Sequence, residues 1–167
     1  MPPCGSSDPG RPPAHLYLRG VGLLPKDLEI ALGLRLLGLL QAVYETTGGR
    51  FGSRLGRLRL LLLRTRGRRS GLLRTVELLY IEEGRSLVVV GSKGGSDTPP
   101  AWLVNLRADP DCEVQVGSRA RRARAWIAGP EERERLWRRV NEVWDYEAYQ
   151  RRCSREIPIV ILEPVPD

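Results

Sequence analysis

The spacing of hydrophobic and polar positions divides the chain into unlike parts. Over 27–44 apolar residues dominate, and the polar exceptions Glu29, Arg35 and Gln41 are six apart. At about 100° per residue they fall on three different sides of a helix, so no polar face forms. Asp27 suits the N-cap of this helix. A helix apolar all round is buried, or touches a membrane or a partner. The segment 28–44, seventeen residues carrying two charges, falls short of the about 20 apolar residues a membrane span needs. It is expected to pack across the body of the protein. Peripheral contact with the inner face of a membrane stays open as an alternative.

From residue 58 onward the pattern becomes short apolar runs bounded by glycine, proline and charge. The runs 58–65, 72–81 and 85–91 are joined by 66–71 and by Glu83-Gly84, which predicts three antiparallel strands in a meander. Leu87-Val88-Val89-Val90 reads as buried strand. A short helix begins at Ala101 and is stopped by Asp109-Pro110. Residues 112–116 and 120–128 predict two more strands around a Gly117-Ser118 turn. The arginines 119, 121, 122 and 124 form a solvated face. Gly129-Pro130-Glu131-Glu132 opens a second helix, with Leu136, Val140 and Val143 as its buried stripe beside Trp137 and Trp144. Residues 145–152 carry no decisive pattern. The run 157–162 is the last strand, with Pro158 at an edge or strand start. About six mostly antiparallel strands with few helices make an α+β or β-barrel domain.

The first fourteen residues include Pro2, Pro3, Gly5, Pro9, Gly10, Pro12 and Pro13 and no apolar run. They predict a disordered tail over 1–14, neither a signal peptide nor an ordered element, ahead of one domain over 15–167. The length of 167 residues and the 41% apolar content suit a single globular core. Cys4, Cys112 and Cys153 are odd in number and lack metal-ligand spacing, which favours a reducing cytoplasm over a disulfide framework. His15 is the one histidine, which leaves no basis for a histidine triad or a multi-histidine metal centre.

Charge narrows the partner. The net charge is +7, and only Lys26 and Lys93 among the 27 basic residues are lysines. From Arg50 to Val76 there are nine arginines and no acid. Such a field favours an anionic partner: nucleic acid, acidic lipid or a phosphorylated cofactor. Nucleic acid finds little support, because the arginine loop has no aromatic residue on which bases could stack. The candidate chemistry centres on Gly91-Ser92-Lys93-Gly94-Gly95, which follows a strand and leads through Pro99-Pro100 into Ala101-Trp102-Leu103-Val104-Asn105. Glycines let backbone N–H groups approach a ligand, and one ammonium beside them favours an anion. Trp102 and Asn105, three apart, share a helix face that suits a planar, polar-edged cofactor. A plain turn and a core tryptophan would account for the same residues.

Upstream lies Thr65-Arg66-Gly67-Arg68-Arg69-Ser70-Gly71-Leu72-Leu73-Arg74. Together the two stretches resemble the deazaflavin-dependent nitroreductase family, over roughly 44–164. That family typically carries Thr-Gly-Arg-Lys-Ser/Thr-Gly-x-x-Arg, then Ser-Lys-Gly-Gly, then Pro-x-Trp-x-x-Asn-Leu. Here Arg66 stands where threonine is common and Arg69 where lysine is common. The resemblance implies a split β-barrel of the pyridoxamine-phosphate-oxidase, FMN-binding type. It implies coenzyme F420 as cofactor and hydride transfer from its reduced form to a quinone, nitroaromatic or enone. It places Arg68, Arg69 and Arg74 at the phosphate and acidic tail. It places Gly91, Ser92, Lys93, Gly94 and Gly95 at the ring and phosphate, with Pro100, Ala101, Trp102 and Asn105 around them. It makes Ser92, Tyr146 and Tyr149 the candidates for contact with the reacting groups, and either Leu79 or Tyr80 a pocket residue according to strand register. An FMN-binding barrel and a non-catalytic F420 carrier remain as alternatives, in a monomer or a homodimer.

Overall fold

The computed structural model describes residues 54–55 and 58–166. The expected tail over 1–14 and the helix over 27–44 lie outside the described residues. The strands are β1 (Arg54–Leu55), β2 (Leu58–Arg66), β3 (Leu73–Glu83), β4 (Ser86–Val90), β5 (Asp111–Val116), β6 (Arg119–Ile127) and β7 (Ile159–Pro164). The helices are α1 (Ala101–Ala108), α2 (Pro130–Val143) and α3 (Tyr146–Gln150), and a 3-10 turn spans Lys93–Gly95. All strand pairs are antiparallel, in the order β1-β2-β3-β4-β7-β6-β5. A further pairing of β2 with β5, through Leu62↔Gln115 and Leu63↔Val114, closes β2 to β7 into a six-stranded barrel. The predicted strands match to within two residues at each end. The meander and the barrel class stand, and the undecided stretch 145–152 supplies α3.

Strand alternation sorts the side chains into two cores. Leu61 and Leu63 of β2, Tyr80 of β3, Val89 of β4, Val114 of β5 and Leu162 of β7 point into the barrel. Trp102, Leu103 and Leu106 of α1 join that cluster, so α1 plugs one end of the barrel. Each fully buried leucine contributes about 2 kcal/mol. Leu63→Ala should cost about 3 kcal/mol, read as a shifted denaturation midpoint. The second core lies on the outer face. Val88, Val90, Ile159 and Ile161 meet Leu136 and Val140 of α2 and Tyr146 of α3. Register sets Leu79 and Tyr80 on opposite faces of β3. Tyr80 belongs to the barrel interior, and Leu79 lines the outer face with Val90, Val143 and Tyr146.

The helix ends follow local chemistry. Pro130 opens α2 with Glu131 and Glu132 in its first turn. Asp145 caps α3 by accepting from the Ala148 N–H at 2.9 Å. The arginines of β6 are exposed, as expected for a solvated face. On the outer face of β3 Glu77 is only 4% exposed, and neither carboxylate oxygen has a partner among the described residues. Burial pushes its carboxyl up to about 7. Among the described residues no helix is long and apolar enough to cross a membrane.

Candidate cofactor site

Two segments frame α1: the β2–β3 turn, joined to it through Asn105, and the loop after β4, which leads into it. The turn over 67–72 is closed by Gly67 N–H donating to Leu72 O at 2.8 Å and Gly71 N–H donating to Gly67 O at 2.7 Å. A Cβ on Gly67 would lie 2.8 Å from Ser70 Oγ, and Gly71 has a φ of +68°. Gly71 holds a conformation that favours glycine, and a side chain at Gly67 would have to displace the Ser70 hydroxyl. Its shape holds Arg68, Arg69 and Arg74 exposed.

Asn105 bolts this turn to α1. Its Nδ2 donates to Thr65 Oγ1 at 3.2 Å, and its Oδ1 accepts from the Arg68 N–H at 3.2 Å. The side chain is buried, so both bonds are shielded from competing water. Asn105 thus positions the arginine turn. Trp102 is buried in the barrel core beside it.

The loop after β4 bends through three consecutive positive φ angles: Lys93 at +48°, Gly94 at +64° and Gly95 at +81°. Lys93 has a Cβ, so this conformation stores strain of about 1 kcal/mol. Gly95 N–H donates to Ser92 O at 3.0 Å. A Cβ on Gly95 would sit 2.7 Å from the Tyr149 carbonyl oxygen, so this glycine exists for the approach of α3. Its N–H is already used inside the turn. Gly91 is confined less tightly, with Leu103 Cδ2 at 3.1 Å and Pro158 Cγ at 3.2 Å from the place of a Cβ. Lys93 Nζ donates to Thr98 Oγ1 at 2.8 Å on the exposed side. Ser92 is buried, and its hydroxyl makes no hydrogen bond among the described residues.

A clamp from the far end of the chain holds this loop, and the sequence reading missed it. Arg155 Nε donates to Ser96 O at 2.8 Å, while Nη2 donates to Gly91 O and Ser92 O at 2.9 Å each. Ser154 adds its N–H at 2.8 Å and its hydroxyl at 3.2 Å to Asp97 Oδ1. No local pattern marks Arg155 among so many arginines. The one available signal is its place just before the last strand, which pairs with the strand that feeds the loop.

The tyrosines divide. Tyr146 is buried in the outer core, 6.5 Å from the Trp137 ring and 6.1 Å from the Tyr149 ring. Burial first, and then Tyr149, raise its phenol well above the usual tyrosine range, so it stays protonated. Tyr149 is half-buried, with its backbone against Gly95 and the Arg152 guanidinium 5.7 Å from its ring centroid. Cys112 is inert: burial, with Asp111 and Asp109 nearby, pushes its thiol up to about 12.

The donor set defines what can bind. The N-cap of α1 is Pro100, which offers no side-chain acceptor, and the first turn has no acid. Its leading N–H groups thus form a positive end. With the guanidiniums of 68, 69 and 74 and the Lys93 ammonium, they fit a group bearing phosphate and carboxylates. The result is a closed antiparallel barrel plugged by a short helix, with an exposed cationic turn fastened to that helix.

The comparisons name the family. A profile described as F420H(2)-dependent quinone reductase matches residues 37–164. The chain is 41% identical over 140 residues to an F420H(2)-dependent quinone reductase of Mycobacterium tuberculosis strain H37Rv, covering 81% of this chain and 94% of that protein. A solved F420-H2 dependent reductase (FDR-A) superposes with a TM-score of 0.57 at 36% identity, over 62% of this chain and 93% of that one. A second solved structure, described as a domain-swapped dimer, gives a TM-score of 0.60 at 31% identity, over 78% of this chain and 99% of that one. The chain belongs to the F420H(2)-dependent quinone reductase family. It is an oxidoreductase, and coenzyme F420 is its cofactor.

Proposed function

We propose that the chain passes a hydride from reduced F420 to a quinone, with nitroaromatics and enones as further acceptors, beside the arginine turn and the glycine loop. The observation that carries this reading is the coupling of the two motifs into one frame. Asn105 ties the turn to α1, and Arg155, from the segment before β7, holds the loop that leads into α1. A hydride must travel a short, fixed distance, so the chain's main task is to hold geometry and keep water out. When bound, the reduced cofactor supplies the two electrons as hydride.

In this reading Arg68, Arg69 and Arg74 hold the phosphate and the acidic tail. Lys93, Gly94 and the α1 N-terminus at Pro100 and Ala101 meet the anionic groups nearer the ring. Gly91 and Gly95 set the loop's path, while Trp102 and Asn105 shape the site beside it. Ser92, buried with an unengaged hydroxyl, donates a hydrogen bond to the acceptor oxygen that gains negative charge. Tyr149 lines the acceptor side, and Tyr146 positions it from behind through their edge-on contact.

The test is a fluorescence titration with F420 and, separately, FMN, followed by oxidation of reduced F420 with a panel of quinones. Saturable F420 binding, weaker with a shortened glutamate tail, and turnover with quinones are expected. Binding of FMN alone would replace the cofactor assignment. Tight F420 binding with no turnover on any acceptor would make the protein a carrier. The domain-swapped relative raises a homodimer as the assembly, to be read from the mass in solution.

A further inference from the structure

The segment that carries the Arg155 clamp has a support of its own. No helix or strand lies between α3 and β7, yet Ile157 in that stretch is fully buried. Its backbone polar groups must find partners there, because a buried N–H without one is costly. Gln150, the last residue of α3, supplies what a paired strand would. Its Nε2 donates to Arg155 O at 2.8 Å, and its Oε1 accepts from Ile157 N–H at 2.9 Å. The Cys153 thiol also reaches Arg155 O, at 3.5 Å, as a weaker donor. One side-chain amide thus fixes the backbone on both sides of Glu156 and sets where the Arg155 side chain starts.

We propose that Gln150 is a positioning residue of the F420 site, acting through Arg155 to set the shape of the glycine loop. The inference rests on the reading of that loop as part of the F420 site. From the backbone that Gln150 fixes, the Arg155 guanidinium reaches the carbonyls of Gly91, Ser92 and Ser96 at 2.8–2.9 Å. Three bonds that short tolerate little displacement, since hydrogen bonds weaken steeply away from good geometry. Without the amide, Ile157 N–H is left buried and unpaired, and the stretch must shift to pair it. The base of the Arg155 side chain moves with it. α3 therefore meets the loop twice: directly, where the Tyr149 carbonyl lies against Gly95, and at one remove, through Gln150 and the clamp.

The experiment is a fluorescence titration with F420 of the full chain as parent, Gln150→Met, Gln150→Glu, Arg155→Ala, and Gln150→Met combined with Arg155→Ala. Methionine keeps the length of the side chain and removes both hydrogen bonds. It should weaken F420 binding roughly fivefold. Ionised glutamate keeps the acceptor for Ile157 N–H and loses the donor to Arg155 O, so it should fall between methionine and the parent. The combined variant should bind within about twofold of Arg155→Ala alone, because the amide acts through the guanidinium. A purely structural role, independent of the clamp, would multiply the two losses, and that result overturns the proposal. So does a methionine variant that binds as tightly as the parent. If the methionine variant does not fold, the glutamate variant takes its place in both comparisons, with the same outcomes. A parent that binds no F420 sinks the reading of the loop and this proposal with it, whereas multiplied losses in a parent that binds sink this proposal alone.

Discussion

Replacing Arg155 with alanine tests the idea that the cofactor loop is held from the far end of the chain. The side chain makes three hydrogen bonds to loop carbonyls, of Gly91, Ser92 and Ser96, at 2.8–2.9 Å. A hydrogen bond from a charged donor is worth about 1.5 kcal/mol or more, so three approach 4–5 kcal/mol. Arg155 is only half-buried, and water can take over part of this. A loss of about 2–3 kcal/mol is the working figure. For a chain of this length that lowers the melting temperature by about 5–10 °C. If the loop loosens in the free protein, F420 must reorder it on binding. About 2 kcal/mol of lost order weakens the affinity roughly 30-fold. Differential scanning calorimetry and a fluorescence titration with F420 read the two effects. Arg155→Lys, with one compact ammonium, should fall between the parent and the alanine variant. An alanine variant that melts with the parent and binds F420 equally well would show that the loop holds its shape without the clamp.

Arg69→Ala should weaken F420 binding about tenfold, and the difference from the parent should shrink when the titration uses a short-tailed cofactor. An effect independent of tail length would move Arg69 away from the tail. Ser92→Ala should lower kcat with quinones about tenfold or more while F420 affinity holds; a change confined to affinity would make the hydroxyl a binding group. Glu77 gives a pH signature in stability. Its carboxyl is raised from 4.5 to about 7 in the folded state. The neutral form is thus favoured on folding, and that stabilisation is full below about 4.5 and lost as pH rises through about 7. Glu77→Gln should match the parent near pH 5 and melt above it at pH 8; equal melting curves at both pH values would show that the carboxyl is solvated.

The barrel was largely legible because its strands are leucine- and valine-rich runs ended by glycine or proline, such as Leu87-Val88-Val89-Val90 before Gly91. Closure of β2 on β5 was not, since nothing local in 58–65 or 112–116 names the other as a neighbour. The site divides along the same line. The arginine turn and the glycine loop announce themselves through composition and spacing. The reasons for individual residues do not. Gly95 was read as an opening for a ligand, and in the fold it makes room for the Tyr149 carbonyl. Arg155 carries no local mark, because its meaning is a three-way contact with residues about sixty positions away. Tyr146 and Tyr149 are close in sequence, yet one is core and the other lies along the loop.

The Arg155 clamp also fixes an order of events as the chain is made. Every residue of the two cofactor motifs has been synthesised by Asn105, yet Ser154 and Arg155 emerge some fifty residues later. Until they do, the carbonyls of Gly91, Ser92 and Ser96 lack their cation, and Gly91 N–H lacks the Pro158 oxygen it donates to. The nascent protein thus carries the full cofactor motif without the grip to use it. If the loop holds F420 as proposed, a chain cut short before Ser154 would be released without the grip on that loop.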